Sequence, residues 1–583
     1  MKKIAILCLI FAVLTALCSC AGEYTVPTGT GHISDVTVST LDASTASSTI
    51  ATEPAETTAA ETTAAETTPS ETAATESTTA PAEPPATPEE RGYVLYSDFG
   101  ATGKGTADDF LAVAAAHEYA NAHGLPVKAD SGATYLFFVN SVGRQIDIKT
   151  DTDWTGAKFI IDDRCIIVND NRTYQKPIFR IAPSGESRVI TSVTSLKKTA
   201  TNIGFEPGEK CLAFIEDTSS KVYIRTGIHE NSGYSKREVV LLDEHGNIDD
   251  RTPLTWDYDN ITSITLYPTS DEPITVKGGK FHTVANKQPW KFTYFARNIK
   301  VERSNVTLEN ITHTVEGETD DGGAPYEGFV YVSKCANVTV KNCIFTPHYI
   351  FAKMSSTESN TFGYDIHVNT ATNVEFIGCT QTLPIENNNY WGVFTSNFAR
   401  NITLENCVLS RFDAHMGVYN VTIKGCTLGH QGIRLIGFGT ALIENTTVRS
   451  SEFINLREDY GSTFDGTVII RNCRYEPMGQ MYSESALIRA KNNCDHYYGY
   501  RCYFPRLDID GLVVDDRNKT TGYKGIYILP KYNDRSDWFN FENDSGYFAP
   551  ETVRVKGLVL LSGYEYKTCV KPYLFNKTEF VTE

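Results

Sequence analysis

Charged and imidazole side chains gather in three short stretches of the sequence between residues 411 and 461. The stretches are Arg411-Phe-Asp-Ala-His415, Gly429-His-Gln-Gly-Ile-Arg434 and Asn455-Leu-Arg-Glu-Asp-Tyr-Gly461. Carboxyl and imidazole groups can transfer protons in a reaction, and guanidinium groups pair with carboxylates. These residue types predict acid–base cleavage of a bond or binding of an acidic ligand. A solvated ladder of ion pairs is the non-functional alternative.

Each stretch lies at a fixed distance before a sequence repeat that begins at residue 420, 439 or 466. Nine residues before a repeat come Arg411, His430 and Arg457; seven before come Asp413 and Asp459; five before come His415 and Arg434. If no bulge shifts the register, equivalent residues stack about 4.8 Å apart on one strand face. Asp413 and Asp459 would then lie about 10 Å apart, near the upper end of the roughly 6.5–9.5 Å that separates the carboxylates of an inverting glycosidase.

Three functional hypotheses follow from this cluster. In a glycoside hydrolase, Asp413 would be the general acid and Asp459 would position water, while His415, His430 and Arg434 orient the substrate. In a polysaccharide lyase, His415 or a Tyr or Arg would be the base, and Arg411 or Arg457 would neutralise a uronate carboxylate. The third hypothesis is a non-catalytic glycan-binding adhesin.

Further substrate-binding residues are expected beside the cluster. Tyr390, Trp391 and Tyr460 have aromatic rings that could stack on sugars, and Asp365 and His367 precede an earlier repeat. The polysaccharide is the predicted partner.

The element that must position these residues is a repeated strand. Each unit alternates apolar and polar residues for about five positions and then turns at Asn or Gly, which indicates a strand buried on one face. One strand signature per unit predicts an all-β parallel solenoid with the repeated Cys stacking inward. The two shortest units predict a cleft whose floor is residues 401–439. The units begin at residues 305, 337, 373, 401, 420, 439 and 466.

The start of the repetitive region resembles a known superfamily. Ser97-Asp-Phe-Gly-Ala-Thr-Gly-Lys-Gly-Thr-Ala-Asp-Asp-Phe110, followed by a helix-like segment from Leu111 to His123, is similar to the opening of pectate-lyase-like proteins, which include rhamnogalacturonases and polygalacturonases. The resemblance implies a right-handed parallel β-helix capped by a short N-terminal helix, with Asp108 or Asp109 as the helix N-cap.

A second likeness concerns the site. Gly429-His-Gln-Gly-Ile433 resembles the Gly-His-Gly segment of polygalacturonase-type hydrolases, with one extra residue. The resemblance implies catalytic roles for Asp413 and His430. The second carboxylate of that family has no counterpart, so hydrolysis would need Asp459, Asp365 or Glu458.

The N-terminal region predicts export and anchoring. Residues 1–20 form a charged start and a short apolar run, and Leu17-Cys-Ser-Cys-Ala21 resembles the bacterial lipoprotein box, which implies lipidation at Cys20. Residues 21–92 are rich in Thr, Ala, Glu and Pro and predict a disordered linker. We therefore expect an extracytoplasmic protein held at the membrane or cell surface by a lipid anchor.

Residues 93–583 are predicted to be one β-helix domain. Within it, residues 184–268 interrupt the repeats as a β-rich insertion or irregular coils, residues 274–530 carry the repeats, and residues 531–583 form a C-terminal cap. The formal net charge of −18 argues against a nucleic-acid partner. The stacked coils bury an ample core within one chain, which predicts a monomer.

Cofactor and metal signals are absent from the sequence. No Cys spacing for zinc occurs, so no metal site is predicted. No cofactor is predicted, although calcium stays open for the lyase alternative. A disulfide between Cys494 and Cys502 also stays open.

Overall fold

The structure is a computed structural model that describes residues 86–166, 176–227, 230–288, 294–319, 326–351, 361–491, 496–530 and 547–583. Within these ranges the chain is a right-handed parallel β-helix of stacked coils, as predicted. The predicted signal peptide, Cys20 and residues 21–85 of the predicted linker lie outside the described residues, as does Cys494. Among the described helices, none is long and apolar enough to cross a membrane.

Three strand faces wind around one core. Face 1 contains Val94–Leu95, Val127–Lys128, Val306–Glu309, Ala336–Lys341, Thr372–Ile377, Gly437–Glu444 and Glu579–Thr582. Face 2 contains Lys104–Asp108, Thr134–Phe137, Thr312–Glu316, Ile344–Phe345, Thr380–Gln381 and Thr447–Val448. Face 3 contains Ile146–Ile148, Phe179–Ile181, Ile299–Val301, Val330–Ser333, Ile366–Asn369, Ile454–Leu456 and Ile488–Arg489.

Longer strands bend from one face to the next. Those that run from face 1 to face 2 are Thr152–Asp162, Ile274–Val284, Phe464–Tyr475, Arg506–Val514 and Thr552–Leu560. Phe394–Glu405, Val408–Lys424 and Thr427–Leu435 turn the corners around face 3. Short two-stranded pairs are Ile350–Phe351 with Thr361–Phe362, Cys502–Tyr503 with Tyr547–Phe548, and Tyr527–Leu529 with Lys567–Cys569.

Asparagines explain why the repeats fold into coils. The first Asn of five successive units adopts a left-handed backbone with φ between 50° and 59°, and its side-chain amide donates to the Asn of the preceding coil at 2.9–3.1 Å wherever a preceding Asn exists. Asn tolerates this conformation better than other side chains. The ladder therefore fixes one corner of each coil; its members are Asn305, Asn337, Asn373, Asn401 and Asn420.

The repeated cysteines point into the core, as predicted. Each is buried, and its thiol lies 3.3–3.5 Å from a backbone carbonyl one coil earlier. Thr446 occupies the same place in the coil that lacks a Cys, and its hydroxyl donates to Ile423 O at 3.4 Å. The members with this contact are Cys379, Cys407, Cys426 and Cys473.

An α-helix, Phe110–His123, covers the first coils, as the resemblance implies. Asp109 is the N-cap residue, but its carboxylate accepts from Thr102, while Asp108 accepts from the Phe110 amide at 3.2 Å. A short helix, Pro88–Arg91, falls within residues predicted as linker. The 3₁₀ turns are Tyr96–Phe99, Val139–Ser141, Asp163–Cys165, Glu458–Tyr460 and Pro572–Phe575.

The region between residues 184 and 268 is a β-rich insertion with its own core. It forms a four-stranded antiparallel sheet of Arg188–Ile190, Cys211–Val222, Tyr234–Leu242 and Ser263–Pro268. Its buried centre includes Ile215, Val240 and Tyr258. A buried ion pair between Glu238 and Arg400 joins the insertion to the β-helix.

Candidate functional site

The strand register differs from the predicted alignment at the site. Leu409 pairs with Leu428, but Arg411 pairs with Gly432, because a bulge adds two residues to the later coil. A second irregularity at Gly439 adds one residue on face 1, since Tyr419 pairs with Phe438 and Val421 with Ala441. The predicted stacking at minus nine, seven and five is therefore wrong.

The actual column on face 3 runs through different residues. Asp413 pairs with Arg434, Arg434 with Asn455, and Asn455 with Arg489. Asp459 belongs to the 3₁₀ turn after Leu456, outside this column. A cation therefore follows Asp413 directly in the stack.

Asp413 and Asp459 are nevertheless joined, through Arg457. The Arg457 Nη1 donates to both oxygens of Asp413 at 3.1 and 3.0 Å, while its Nε and Nη2 donate to Asp459 at 3.1 and 2.7 Å. Arg411 Nη2 donates to Oδ2 of Asp413, and Arg225 from the insertion pairs with Asp459 at 2.8 Å. With Arg434, these residues form what we term the arginine cluster: Arg225, Arg411, Arg434, Arg457, Asp413 and Asp459.

Positive charge is in surplus in the arginine cluster, since four guanidinium groups face two carboxylates. Nε and Nη1 of Arg411 and Nε of Arg434 are buried without a hydrogen-bond partner in the described part of the chain. Burial, with the charges of Arg411 and Arg457, lowers the pKa of Arg434 to about 10. An anion bound here would relieve both the surplus charge and the unmade hydrogen bonds.

Both aspartates of the cluster are held in the ionised form. Burial acts to raise the pKa of Asp413, but Arg411 and Arg457 outweigh it and bring the value to about 2. Arg457 and Arg225 likewise hold the pKa of Asp459 below its ordinary range against the opposing effect of burial. A general acid needs a raised pKa, so this geometry suits Asp413 as an anion that organises the arginines and not as a proton donor.

His415 lies at the edge of the cluster in a defined tautomer. Its Nδ1 is 3.0 Å from Asn397 Oδ1, and Asn397 Nδ2 is 2.9 Å from His367 Nε2. The ring of His367 also donates to the backbone carbonyl of Glu327. These contacts form one hydrogen-bonded line from His415 through Asn397 and His367 to Glu327 O. Because the carbonyl at its end only accepts, His367 donates to it and accepts from the Asn397 amide. The Asn397 oxygen then accepts from His415 Nδ1, which leaves Nε2 of His415 as an acceptor. Burial and the charge of Arg457 lower the pKa of His415 to about 3, so the ring is neutral near pH 7.

His430 is held by two backbone carbonyls. Its Nδ1 lies 3.0 Å from Ile385 O and its Nε2 lies 2.9 Å from Tyr390 O. Burial lowers the pKa of His430, although the two carbonyls act in the opposite direction. A carbonyl only accepts and a neutral imidazole has one N–H, so the neutral ring donates to one of these two carbonyls. The contacts place His430 against the loop that carries Ile385 and Tyr390, which is a positioning role.

The predicted aromatic residues fall into two groups. Trp391 and Tyr390 are half-buried; the Trp391 ring centroid lies 4.4 Å from the Arg411 guanidinium and 5.4 Å from that of Arg434. Tyr460 is buried, with 1% of its surface exposed, and meets His415 edge-on at 5.6 Å. Trp391 can therefore face a ligand, whereas Tyr460 is covered and does not offer a ring for stacking.

Asp365 lies inside the coil and not at the site. Its Oδ1 accepts from His313 at 2.7 Å and His348 at 3.1 Å, and its Oδ2 accepts from the Thr346 amide at 2.7 Å. His348 also contacts Glu318 at 2.6 Å, and His313 contacts Thr283 at 2.9 Å. We call these five residues, Glu318, His348, Asp365, His313 and Thr283, the histidine network. Because Asp365 has no exposed surface, it does not reach a ligand.

The sequence reasoning missed two residues of the site. Asn397 sits within an ordinary strand and carries no motif, although its parity with His367 places both on one side of face 3. Arg225 comes from the insertion, which gave no chemical signal.

Among the described residues, no group of three or more His, Cys, Asp or Glu side chains could hold a metal ion.

Comparisons with known proteins concern the fold only. No protein-family model matches the chain, and no curated protein matches it. The tailspike protein gp49 of Pseudomonas phage LKA1 is 14% identical with a TM-score of 0.47, over 84% of each chain. The tailspike gp61 of Pseudomonas phage phi297 is 12% identical with a TM-score of 0.44, over 80% of this chain and 75% of its own. The Streptococcus pneumoniae surface adhesin PfbA is 12% identical with a TM-score of 0.35, over 84% and 93%.

Proposed function

We propose that this protein binds and cleaves an acidic polysaccharide at the arginine cluster, by β-elimination next to a uronate carboxylate. The surplus of guanidinium groups on the outer side of face 3 is the observation that carries the proposal. Arg434 is half-buried and its Nε is unpaired among the described residues, while Arg411, fully buried, adds positive charge beside it. A uronate carboxylate matches the planar geometry of a guanidinium group. Trp391 supplies the apolar surface for a sugar ring beside that charge.

The residues at hand can carry out each part of the elimination. Pairing of the carboxylate with Arg434 acidifies the proton on the carbon next to it. His415 Nε2 takes that proton, the electron pair forms a carbon–carbon double bond, and the bond to the glycosidic oxygen breaks at the neighbouring carbon. The leaving oxygen receives a proton from solvent. The bound carboxylate also offsets the charge of Arg457, which raises the pKa of His415 and makes it a stronger base when substrate is present.

Hydrolysis is the less favoured reaction at this cluster. Asp413 and Asp459 are both held in the ionised form, so neither carboxyl can donate a proton to a leaving group at neutral pH.

The proposed location is the cell exterior. The apolar start, Cys20 and the Thr- and Glu-rich stretch support a lipid-anchored protein whose linker presents the β-helix to surrounding polysaccharide. We also propose that it acts as a monomer and without an organic cofactor. Whether elimination here uses a calcium ion stays open.

Screening on pectin, alginate, xylan and arabinan, with and without carboxyl reduction, tests the function. Elimination gives products that absorb ultraviolet light through the new double bond. We expect Arg434→Gln to lower kcat/KM about 100-fold with little change in stability, since one charge-assisted contact to the reacting group is lost.

The matched control for this variant is Arg489→Gln. Arg489 lies in the same column two coils further on, but it pairs with Glu452 and Glu458 on the surface. Its replacement should leave kcat/KM unchanged. New reducing ends without ultraviolet absorbance would contradict elimination and favour hydrolysis, while binding without any cleavage would favour the adhesin hypothesis.

A further inference from the structure

The groups of the arginine cluster alternate in charge and end in a cation on each side. Arg411 and Arg434 lie beside Asp413, Arg457 lies between Asp413 and Asp459, and Arg225 lies beyond Asp459. The two ends come from different parts of the chain, since Arg225 belongs to the insertion. We propose that Arg225 binds a second acidic group of the polysaccharide, so that the insertion makes the site selective for chains with repeated acidic groups. This inference rests on the proposed function.

The backbone on both sides of Arg225 is tied to the β-helix. The Thr226 amide donates to Asp459 O at 3.0 Å, and the Ile224 amide donates to Tyr498 O at 3.1 Å. His496 Nε2 lies 3.0 Å from Ile224 O. Arg225 is therefore held in a fixed place beside Asp459.

Tyr223 fixes the approach of this segment. Its backbone is left-handed with φ of 52°, and its hydroxyl fills the space above Gly417, where an added Cβ would lie 2.0 Å from the tyrosine oxygen. Its ring meets those of Phe398, Tyr460 and Tyr500 at centroid distances of 5.4, 5.9 and 5.2 Å. Gly417 is required here because any side chain would displace Tyr223 and the segment after it.

The guanidinium group of Arg225 still has donors to offer. Its Nε pairs with Asp459, while Nη1 and Nη2 have no hydrogen-bond partner within the ranges that the structure describes, and 21% of the side chain is exposed. The group lies 5.7 Å from the Tyr460 ring, which limits its orientation. A partly exposed, oriented guanidinium with two unused nitrogens suits a planar carboxylate.

Attachment of the insertion does not depend on Arg225. The buried pair between Glu238 and Arg400 joins the two parts, and Trp256 packs edge-on against Phe438 at 4.8 Å. The Arg225 side chain is thus not needed to hold the insertion in place, and its Nη1 and Nη2 are available to bind a ligand.

Binding by the full chain to oligogalacturonate, galacturonic acid and carboxyl-reduced oligomer tests the inference. We expect Arg225→Gln to weaken oligogalacturonate binding about tenfold, which corresponds to one charged hydrogen-bonding contact. Affinity for the single uronate should not change, because it occupies the Arg434 end. The slope of affinity against salt should also fall.

Arg251→Gln is the matched control. Arg251 lies in the same insertion, and its exposed side chain pairs with Asp249. It should bind oligogalacturonate like the unchanged protein. Equal affinity of Arg225→Gln and unchanged protein for the oligomer, with unchanged melting temperature, would overturn the inference and leave the proposed function intact. Failure of the unchanged protein to bind any acidic oligomer would overturn both.

Discussion

Two buried aspartates lie two coils apart along face 3, and they differ in how completely the polar atoms around them are hydrogen-bonded. Asp365 and Asp413 both have no exposed surface, and both are surrounded by ionisable partners. In the histidine network, both oxygens of Asp365 are satisfied and each imidazole has a partner at both nitrogens. In the arginine cluster, three buried guanidinium nitrogens have no partner among the described residues.

This difference separates structure from function more clearly than residue type does. A closed network has nothing left to offer a ligand, and its role is to fix the coil. An unbalanced cluster costs folding free energy, because desolvated charge without a partner is unfavourable. The protein carries that cost at a place where Trp391, Arg434 and His415 are only half-buried. We read the imbalance as the mark of a ligand site.

Replacing the anion of the arginine cluster should give the largest effect. Asp413→Asn leaves Arg411 and Arg457 buried without their shared carboxylate, and we expect a loss of about 3–5 kcal/mol in the free energy of unfolding. Urea unfolding at neutral pH measures it. Asp259→Asn, which removes an exposed partner of Lys197 in the insertion, should leave the midpoint unchanged. A loss no greater than that of the control would show that the cluster is not a buried charge system.

The fold could be predicted from local sequence, but the site only in part. Asn305, Asn337 and their equivalents specify coil corners through their own backbone preference, so the repeat was visible without long-range information. Register at the site depends on the bulge after Leu409 and on the extra Gly439, which no repeat pattern marks. The predicted residues therefore clustered as expected, but in a different order.

Long-range partners account for the remaining gap. Arg225 meets Asp459 across more than two hundred residues, and the sequence says nothing about where an insertion docks. Burial reversed other expectations: Tyr460 and Asp365 carry side chains typical of sugar binding, yet both lie inside the protein. The sign of a pKa shift at Asp413 likewise depends on which arginines fold against it.

His348 and Asp413, one from each region, should lose their contributions to stability at opposite ends of the pH scale. Burial opposes the charge of His348, but Glu318 and Asp365 raise its pKa from 6.5 to about 10. A raised pKa gives a contribution that is fully present below pH 6.5 and lost as pH rises toward 10. Asp413, with a lowered pKa, contributes above pH 3.8 and loses that contribution as pH falls toward 2.

His348→Gln tests the alkaline half of this comparison. The variant should be less stable than the unchanged protein at pH 6, and the difference should shrink as pH approaches 10. His415→Gln is the control, because His415 has a lowered pKa and is neutral in both folded and unfolded states above pH 6.5. A constant difference between His348→Gln and the unchanged protein across pH 6–10 would contradict a charged His348.

The smallest expected effect concerns the tautomer of His415 and sharpens the distinction between a structural and a catalytic imidazole. Asn397→Asp places a carboxylate where Asn397 Oδ1 now accepts from His415 Nδ1. A nearby negative charge favours imidazolium, so the pKa of His415 should rise, and the acid limb of kcat/KM should move up by about one to three pH units. Asn369→Asp is the matched control, since Asn369 pairs with Asn397 in register but donates to Tyr331. If both variants shift the acid limb of kcat/KM equally, the shift is caused by added charge on face 3 in general. If neither variant shifts it, His415 is not the base.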